Sequence, residues 1–375
     1  MADGPYQGES RILNDDVGPR LTAWFEQQLP DAEAVLIEGL SRVEFGHSAE
    51  MLLLTVVWRS KMGGHRQDVV VRIRPPEPGL LEPYDLRRQF EILRALETTP
   101  VRAPRALWID ETADVLGRPF YVMERLDGSV YEREMPSELA SAPERIHRMS
   151  EAVIEQIAAI HLVDLRATGL DAVGDGRDFL GHELDHWENE MRRVQRGPLP
   201  ALERLAARLR EQRPEPTDPS TLVHGDTKAG NFAFVGDDVS GVFDWEMASI
   251  GDPMADIGWA EVTWRLTPPF SALSASDIDC LLVRYEQLTG IVVHDRPWHR
   301  AFQAFKMAVI MLVGAMLFDA GFSDDSRLAD MGLAVPAVTQ IGLRDLSIED
   351  QLESGPVTPR RQRLQAVRNE RAAAG

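Results

Sequence analysis

The chain has 375 residues, 44% hydrophobic and 27% charged, which is enough apolar material for a sizeable core and too ordinary a balance for a disordered polymer. With 60 acidic against 40 basic residues, the net charge of −20 repels DNA, RNA and anionic membranes, so no nucleic-acid or membrane partner is expected. The single cysteine, Cys280, excludes an internal disulfide and a cysteine-based zinc site and fits a reducing, cytoplasmic setting. The opening MADGPYQGES has neither a basic start nor an apolar run, so no signal peptide is expected.

Helical spacing begins at Pro19–Leu29, with proline at the front, where the first turn tolerates it. Three strands follow, AEAVLIEGL, AEMLLLTVVW and DVVVRIR, with GGH read as the turn between the last two. Asp85–Leu96 carries Leu86, Phe90, Leu93 and Leu96 on one helical face. ALWID and PFYVMERL complete a set of five strands with one inserted helix. Beyond Asp127-Gly128 the pattern turns helical: Arg145–Leu162, Glu183–Val194 and Leu199–Arg213, then the proline-rich break Pro214–Ser220. TLVHGD, NFAFVG and GVFDWE read as short strands joined by loops. The remainder to about Leu346 reads mostly helical, and Met307–Phe318, an apolar run too short to span a bilayer, reads as a buried core helix. The expected organisation is α+β: a small antiparallel-sheet lobe over residues 1–126, a larger helical lobe over 127–350, and an arginine-containing tail, 351–375.

The chemistry-bearing residues sit at junctions between apolar runs and loops. In LVHGDTKAGNF, Asp226 follows the strand Leu222–Val223 and the turn residue Gly225, and Asn231, five residues on, precedes another apolar run. Asp244 comes thirteen residues after Asn231, in FDWE. Such junctions hold side chains still and yet let them face a ligand. A carboxylate with a neutral amide oxygen suits a hard cation such as Mg²⁺, which leaves Asp226 to accept a proton from an attacking hydroxyl. Singly, each residue is also an ordinary turn former.

H-G-D-x-x-x-x-N followed by D-W-E resembles the aminoglycoside phosphotransferase branch of the protein-kinase-like superfamily, over most of residues 35–345. Gly251-Asp252-Pro253 and Asp256-Ile257 extend the likeness. The resemblance implies the protein-kinase-like two-lobed fold, ATP (with GTP the other candidate) and Mg²⁺ as cofactors, and a small-molecule hydroxyl acceptor. It implies Asp226 as the catalytic base, Asn231 and Asp244 as magnesium ligands, and structural roles for Asp256 and His224. Lys228, two after Asp226, reads equally as a cation for the transferring phosphoryl group and as a solvated loop lysine. In the first lobe the resemblance places the phosphate-gripping cation at Arg72, where protein kinases use Lys, with Gln89 where they use Glu. Ser48, in a loop with a single glycine, is the candidate hydrogen-bond donor to a phosphate, and Met123, Glu124 and Arg125 form the expected adenine-reading hinge.

On the acceptor side, Glu261 and Asp319 suit a cationic aminoglycoside, while Trp187, Trp259, Trp264 and the helix Trp298–Phe318 suit an apolar acceptor equally well. Two functions stay open. One is an ATP-dependent O-phosphotransferase acting on a small molecule, aminoglycoside-like acceptors included. The other is a nucleotide-binding, pseudokinase-like regulatory protein without transfer activity, favoured by the Arg72 and Gln89 departures. The sequence leaves the oligomeric state open.

Overall fold

The computed structural model describes residues 16–43, 49–132, 134–215 and 217–348. Ser48 and the tail 351–375 lie outside the described residues. The chain divides into two compact units. One takes the chain up to Ser129 together with Ala233–Val235 and Ser240–Glu246, and the other takes Val130–Phe232, Gly236–Val239 and Met247 onward. Elements below are numbered in chain order, counting helices of eight residues or more and strands of three or more.

The first unit is built on a five-stranded antiparallel sheet in the order β1-β2-β3-β5-β4. Its strands are β1 Ala34–Arg42, β2 Glu50–Ser60, β3 Gly63–Ile73, β4 Ala106–Asp110 and β5 Phe120–Glu124. Alternation sends Leu52, Leu54, Val56, Val69, Val71 and Ile73 to one core, where helix α1, Val17–Gln28, lays Leu21, Trp24 and Phe25 against them. Burying one such side chain contributes about 1.5–3 kcal/mol. Helix α2, Leu86–Leu96, is capped by Asp85, whose side chain accepts from the Arg88 N–H.

Here the structure corrects one local reading. Gly63–His65 is not the turn but the start of β3, pairing with Trp58–Ser60, and the chain reverses at Lys61–Met62. Gly63 takes φ of 129°, which only glycine adopts without strain, and His65 stacks on Trp58 at 5.0 Å, so the ladder runs two residues further than the glycines suggested.

The second unit is helical. Its elements are α3 Pro143–His161, α4 Phe179–Val194, α5 Pro200–Glu211, α6 Met254–Trp264, α7 Ala275–Thr289, α8 Arg296–Asp319 and α9 Ser326–Asp345. Between α5 and α6 lie the short strands β6 Thr221–Val223, β7 Phe232–Val235, β8 Asp238–Val242 and β9 Ser249–Gly251. Strand β6 pairs antiparallel with β9, Leu222 opposite Ile250, so the end of β6 lies beside the start of β9, Val223 opposite Ser249. Helix α8 is the spine, packed against α4, α5, α6 and α9. It is twice the length of the apolar run Met307–Phe318 and is long and apolar enough to cross a membrane, but 83% of its apolar window is buried, as the core reading expects.

His299, on α8, is 1% exposed and its two ring nitrogens have no hydrogen-bond partner. Burial drives its pKa down to about 4, against the opposing fields of Asp252 and Asp295 and with the aid of His294. Below pH 6.5 the unfolded chain therefore takes up a proton that the folded protein refuses until about pH 4, and stability falls with pH across that window. Denaturant titrations should show about 2 kcal/mol lost between pH 7 and pH 5 through this residue, since one pKa unit is about 1.4 kcal/mol. His299→Phe should remove that part of the slope; an unchanged slope would refute the assignment.

Candidate active site

The structure gathers the predicted residues into two groups, one in each unit. In the first unit, Arg72 of β3 is 4% exposed and meets three partners. Its Nε donates to the Tyr84 hydroxyl at 3.0 Å, and one terminal nitrogen donates to Asp244 Oδ1 and Glu246 Oε2, both at 2.8 Å. Burial disfavours the cation, but Tyr84, Asp244, Tyr121 and Glu246 together hold the Arg72 pKa well above its ordinary value, so it stays charged. Asp244 sits at φ 65°, a left-handed conformation that costs a non-glycine residue about 1–2 kcal/mol and that aspartate adopts more readily than most. The strand before it ends at Val242, and the ion pair fixes its carboxylate.

Among the described residues Arg72 does not donate to Gln89, the residue placed where protein kinases have the partner Glu, and the Gln89 Oε1 atom has no partner. Tyr84, immediately before the α2 cap, stands between them: Gln89 is 2% exposed and bonds to the Tyr84 hydroxyl, which takes the Arg72 Nε. Sequence reasoning missed Tyr84, because protein-kinase logic looks for the partner on the helix and not in the residue leading into it. At the hinge, the N–H groups of Glu124 and Arg125 already donate to the carbonyls of Arg105 and Asp68, at 2.9 and 3.2 Å. Met123 is paired with Val70 inside the sheet. Glu124 and Arg125 line a recess of about 550 Å³ with Trp58, His65 and Trp108, a recess whose lining does not include Arg72 or Asp244.

In the second unit the loop after β6 is built on one buried carboxylate. Asp256 has 0% exposure and accepts the backbone N–H of Gly225 at 2.7 Å, that of His224 at 2.8 Å, and His161 Nε2 at 3.0 Å. A carboxylate only accepts, so Nε2 carries the ring hydrogen, while Nδ1 faces the Tyr285 hydroxyl at 2.6 Å. Burial alone would raise the Asp256 pKa; the hydrogen bond and field of His161, with those of His224, bring it below the usual carboxylate range. Gly225 turns the chain at φ 84°, where a Cβ would lie 2.5 Å from the Met247 carbonyl oxygen. His224 is fully buried and its Nδ1 accepts the Asp226 N–H at 3.2 Å.

Asp226 is thereby presented with both oxygens engaged. Trp259 Nε1 donates to Oδ1 at 2.6 Å, and Asn231 Nδ2 donates to Oδ2 and to the Asp226 carbonyl, each at 2.8 Å. The Asn231 amide hydrogens point at Asp226, which leaves its oxygen as the atom suited to a cation. Lys228 Nζ lies 3.5 Å from Asp226 Oδ2 and 3.5 Å from Glu132, so it shares the acidic group instead of standing in open solvent. Trp259 lies one helical turn after Asp256 on α6, a spacing that could have announced it. Among the described residues no group of three His, Cys, Asp or Glu side chains forms a metal cluster. The acceptor contact expected of Glu261 is corrected: it is 2% exposed and paired with Arg296, Arg300 and Arg265. Trp264, which donates to the Thr227 carbonyl at 3.1 Å, likewise braces the loop.

The model of the phosphotransferase enzyme family matches residues 55–277, more than half of the chain. The chain belongs to the phosphotransferase enzyme family. Acyl-CoA dehydrogenase family member 10 of Mus musculus is 32% identical over 214 residues, which is 55% of this chain and 19% of that one. The chain thus spans well under half the length of the curated relatives it matches. A putative aminoglycoside phosphotransferase from Ralstonia eutropha JMP134 superposes with a TM-score of 0.69 over 88% of this chain and 98% of that one, at 24% identity. Aminoglycoside phosphotransferase APH(4)-Ia, a thermostable mutant in ternary complex with ADP and hygromycin B, superposes with a TM-score of 0.52 at 14% identity, over 86% and 98%. The fold is α+β and protein-kinase-like, and the family is one of kinase-like phosphotransferases.

Asp256→Asn should strip one acceptor oxygen from under the loop and aim an amide hydrogen at a backbone donor. Unfolding titrations should show a loss of about 3 kcal/mol, the cost of stranding buried donors. A loss below about 0.5 kcal/mol, within the range of a surface change, would show that the loop does not hang on this carboxylate.

Proposed function

We propose that the chain is an ATP-dependent O-phosphotransferase that moves the γ-phosphate to a hydroxyl of a small molecule. The observation that carries this reading is the fixed Asp226 carboxylate, gripped at Oδ1 by Trp259 and at Oδ2 by Asn231, with its side chain still 11% exposed. A carboxylate so held can orient an acceptor hydroxyl and take its proton without first paying for its own ordering. Lys228 is the proposed cation for charge developing on the transferred group.

Asp244 and Asn231 are the proposed magnesium ligands. The donor chemistry fits: Asp244 and Glu246 set two negative charges against the single charge of Arg72, which leaves that group net negative, and oxygen is what a hard cation takes. When bound, the ion neutralises phosphate oxygens. Arg72, held cationic and oriented by Tyr84, is proposed to bind phosphate through its other terminal nitrogen, with Gln89 acting through Tyr84. The segment Met123, Glu124 and Arg125 is proposed to read the nucleobase through acceptor groups, since two of its N–H groups are already bonded. The ADP complex of APH(4)-Ia supports an adenine nucleotide as donor, with GTP the alternative. The lone, exposed Cys280 supports a reducing compartment such as the cytoplasm. Gln89 in place of a helix carboxylate, with Arg72 paired instead to Tyr84, Asp244 and Glu246 among the described residues, favours the second reading, nucleotide binding without transfer.

Calorimetry with ATP and Mg²⁺ should show metal-dependent binding to the wild type and at least about tenfold weaker binding to Asp244→Ala, since the metal loses its charged ligand. Equal affinity would remove Asp244 from the metal site. With an acceptor in hand, Asp226→Asn should lower turnover by about 10²–10⁴-fold while nucleotide binding is retained. Wild-type turnover in that variant would rule out the base, and nucleotide binding without transfer to any acceptor would establish the second reading.

A further inference from the structure

Helix α8 carries one cation in an apolar stretch, Lys306, and it is 5% exposed. Its ammonium lies 5.3 Å from the centre of the Trp259 ring and 5.5 Å from that of Trp187. Its nearest carboxylate oxygen is Glu183 Oε2 at 3.6 Å, beyond hydrogen-bond distance, and that same oxygen already accepts the Trp187 Nε1 hydrogen at 3.1 Å. An ammonium carries three donors. Among the described residues none of the three is matched at hydrogen-bond distance, although the group is more than nine-tenths buried. The Glu183 side chain itself is 26% exposed.

The other edge of the same Trp259 indole donates to Asp226 Oδ1. Lys306 is therefore one indole away from the carboxylate proposed to receive the acceptor hydroxyl. Two tryptophans flanking a positive charge form the kind of cage that binds ligand ammonium groups. Here the cage is already filled by the protein's own cation. A second ammonium in the same place would be repelled by the like charge of the first. An anionic oxygen in the same place would find a largely buried cation whose nearest carboxylate lies beyond hydrogen-bond distance.

We propose that Lys306 is the specificity-determining residue of the acceptor site, and that it selects a hydroxyl-bearing acceptor with an anionic oxygen group, carboxylate or phosphate, over a cationic aminoglycoside. This rests on the reading of Asp226 as the residue that receives the hydroxyl.

The test is calorimetric binding of four probes: glycerate, glycerol 3-phosphate, neutral glycerol and cationic hygromycin B. Each is titrated into the full chain with and without the magnesium complex of a non-hydrolysable ATP analogue. The wild type should bind one of the two anions at least about tenfold more tightly than glycerol or hygromycin B, and which anion wins separates carboxylate from phosphate. Lys306→Met, close in shape and neutral, should lose that preference. Glu183→Gln removes the competing carboxylate and should tighten anion binding about threefold or more, a gain that a purely structural lysine would not give. The Glu183 variant also keeps the question decidable should Lys306→Met fail to fold. Anions that bind no better than glycerol, or equally to all three proteins, would overturn the proposal, as would tighter binding of hygromycin B. Failure of the nucleotide complex to bind would instead sink the phosphotransferase reading, because the anion titrations without nucleotide still judge Lys306.

Discussion

A carboxylate sealed from water is costly unless its oxygens are matched, and the second unit is arranged around meeting that demand at Asp256. Two backbone N–H groups and one imidazole converge on it, from the loop after β6 and from the end of α3. Those bonds fix the path of His224 and Gly225, and that path fixes where Asp226 emerges. The Thr227 hydroxyl adds a bond to the Asp256 carbonyl at 2.8 Å. One fully buried charge thus sets the position of a second that keeps a small exposed face. The antiparallel β6–β9 pair, three residues on each side, ties the strand that leads into this loop to the strand that leads into α6.

The first unit meets the opposite demand with the opposite sign. There the buried charge is a guanidinium, and it is matched by two carboxylates and a phenol. Tyrosine hydroxyls in this surrounding hold their protons strongly: burial raises the pKa of Tyr84 against the pull of Arg72, and burial also raises that of Tyr121. The cluster is thus an array of one cation, two carboxylates and phenol hydroxyls that keep their protons.

Much of this was legible in the sequence where a pattern is local. The five strands and α2 follow from alternation, helical spacing and turn chemistry, and the Asp226, Asn231 and Asp244 positions follow from apolar runs ending in polar residues. Asp256 as a brace was legible only through resemblance, since a buried aspartate at a helix start looks like any cap. What escaped was set by tertiary packing. Tyr84 reaches Arg72 across 12 positions and Glu246 across 174, and no periodicity encodes such pairings. Glu261 looked like a surface acid until three arginines were found around it. The glycines of Gly63–Gly64 suggested a turn, but a stacked Trp58–His65 pair extends the ladder past them.

The first unit is not continuous along the chain, and this bears on how the protein is made. Arg72 leaves the ribosome 172 residues before Asp244. At about 5–20 residues per second, that leaves on the order of 10–30 s in which the guanidinium has neither of its carboxylates. Burying it during that interval would strand a charge in an apolar setting, so strand β3 is better left unsettled at that end until Ser240–Glu246 arrives. The sheet thus matures late although most of it is synthesised first. A fragment cut at Ser129 would contain every strand of the sheet and still lack the counter-charges that let its central strand close.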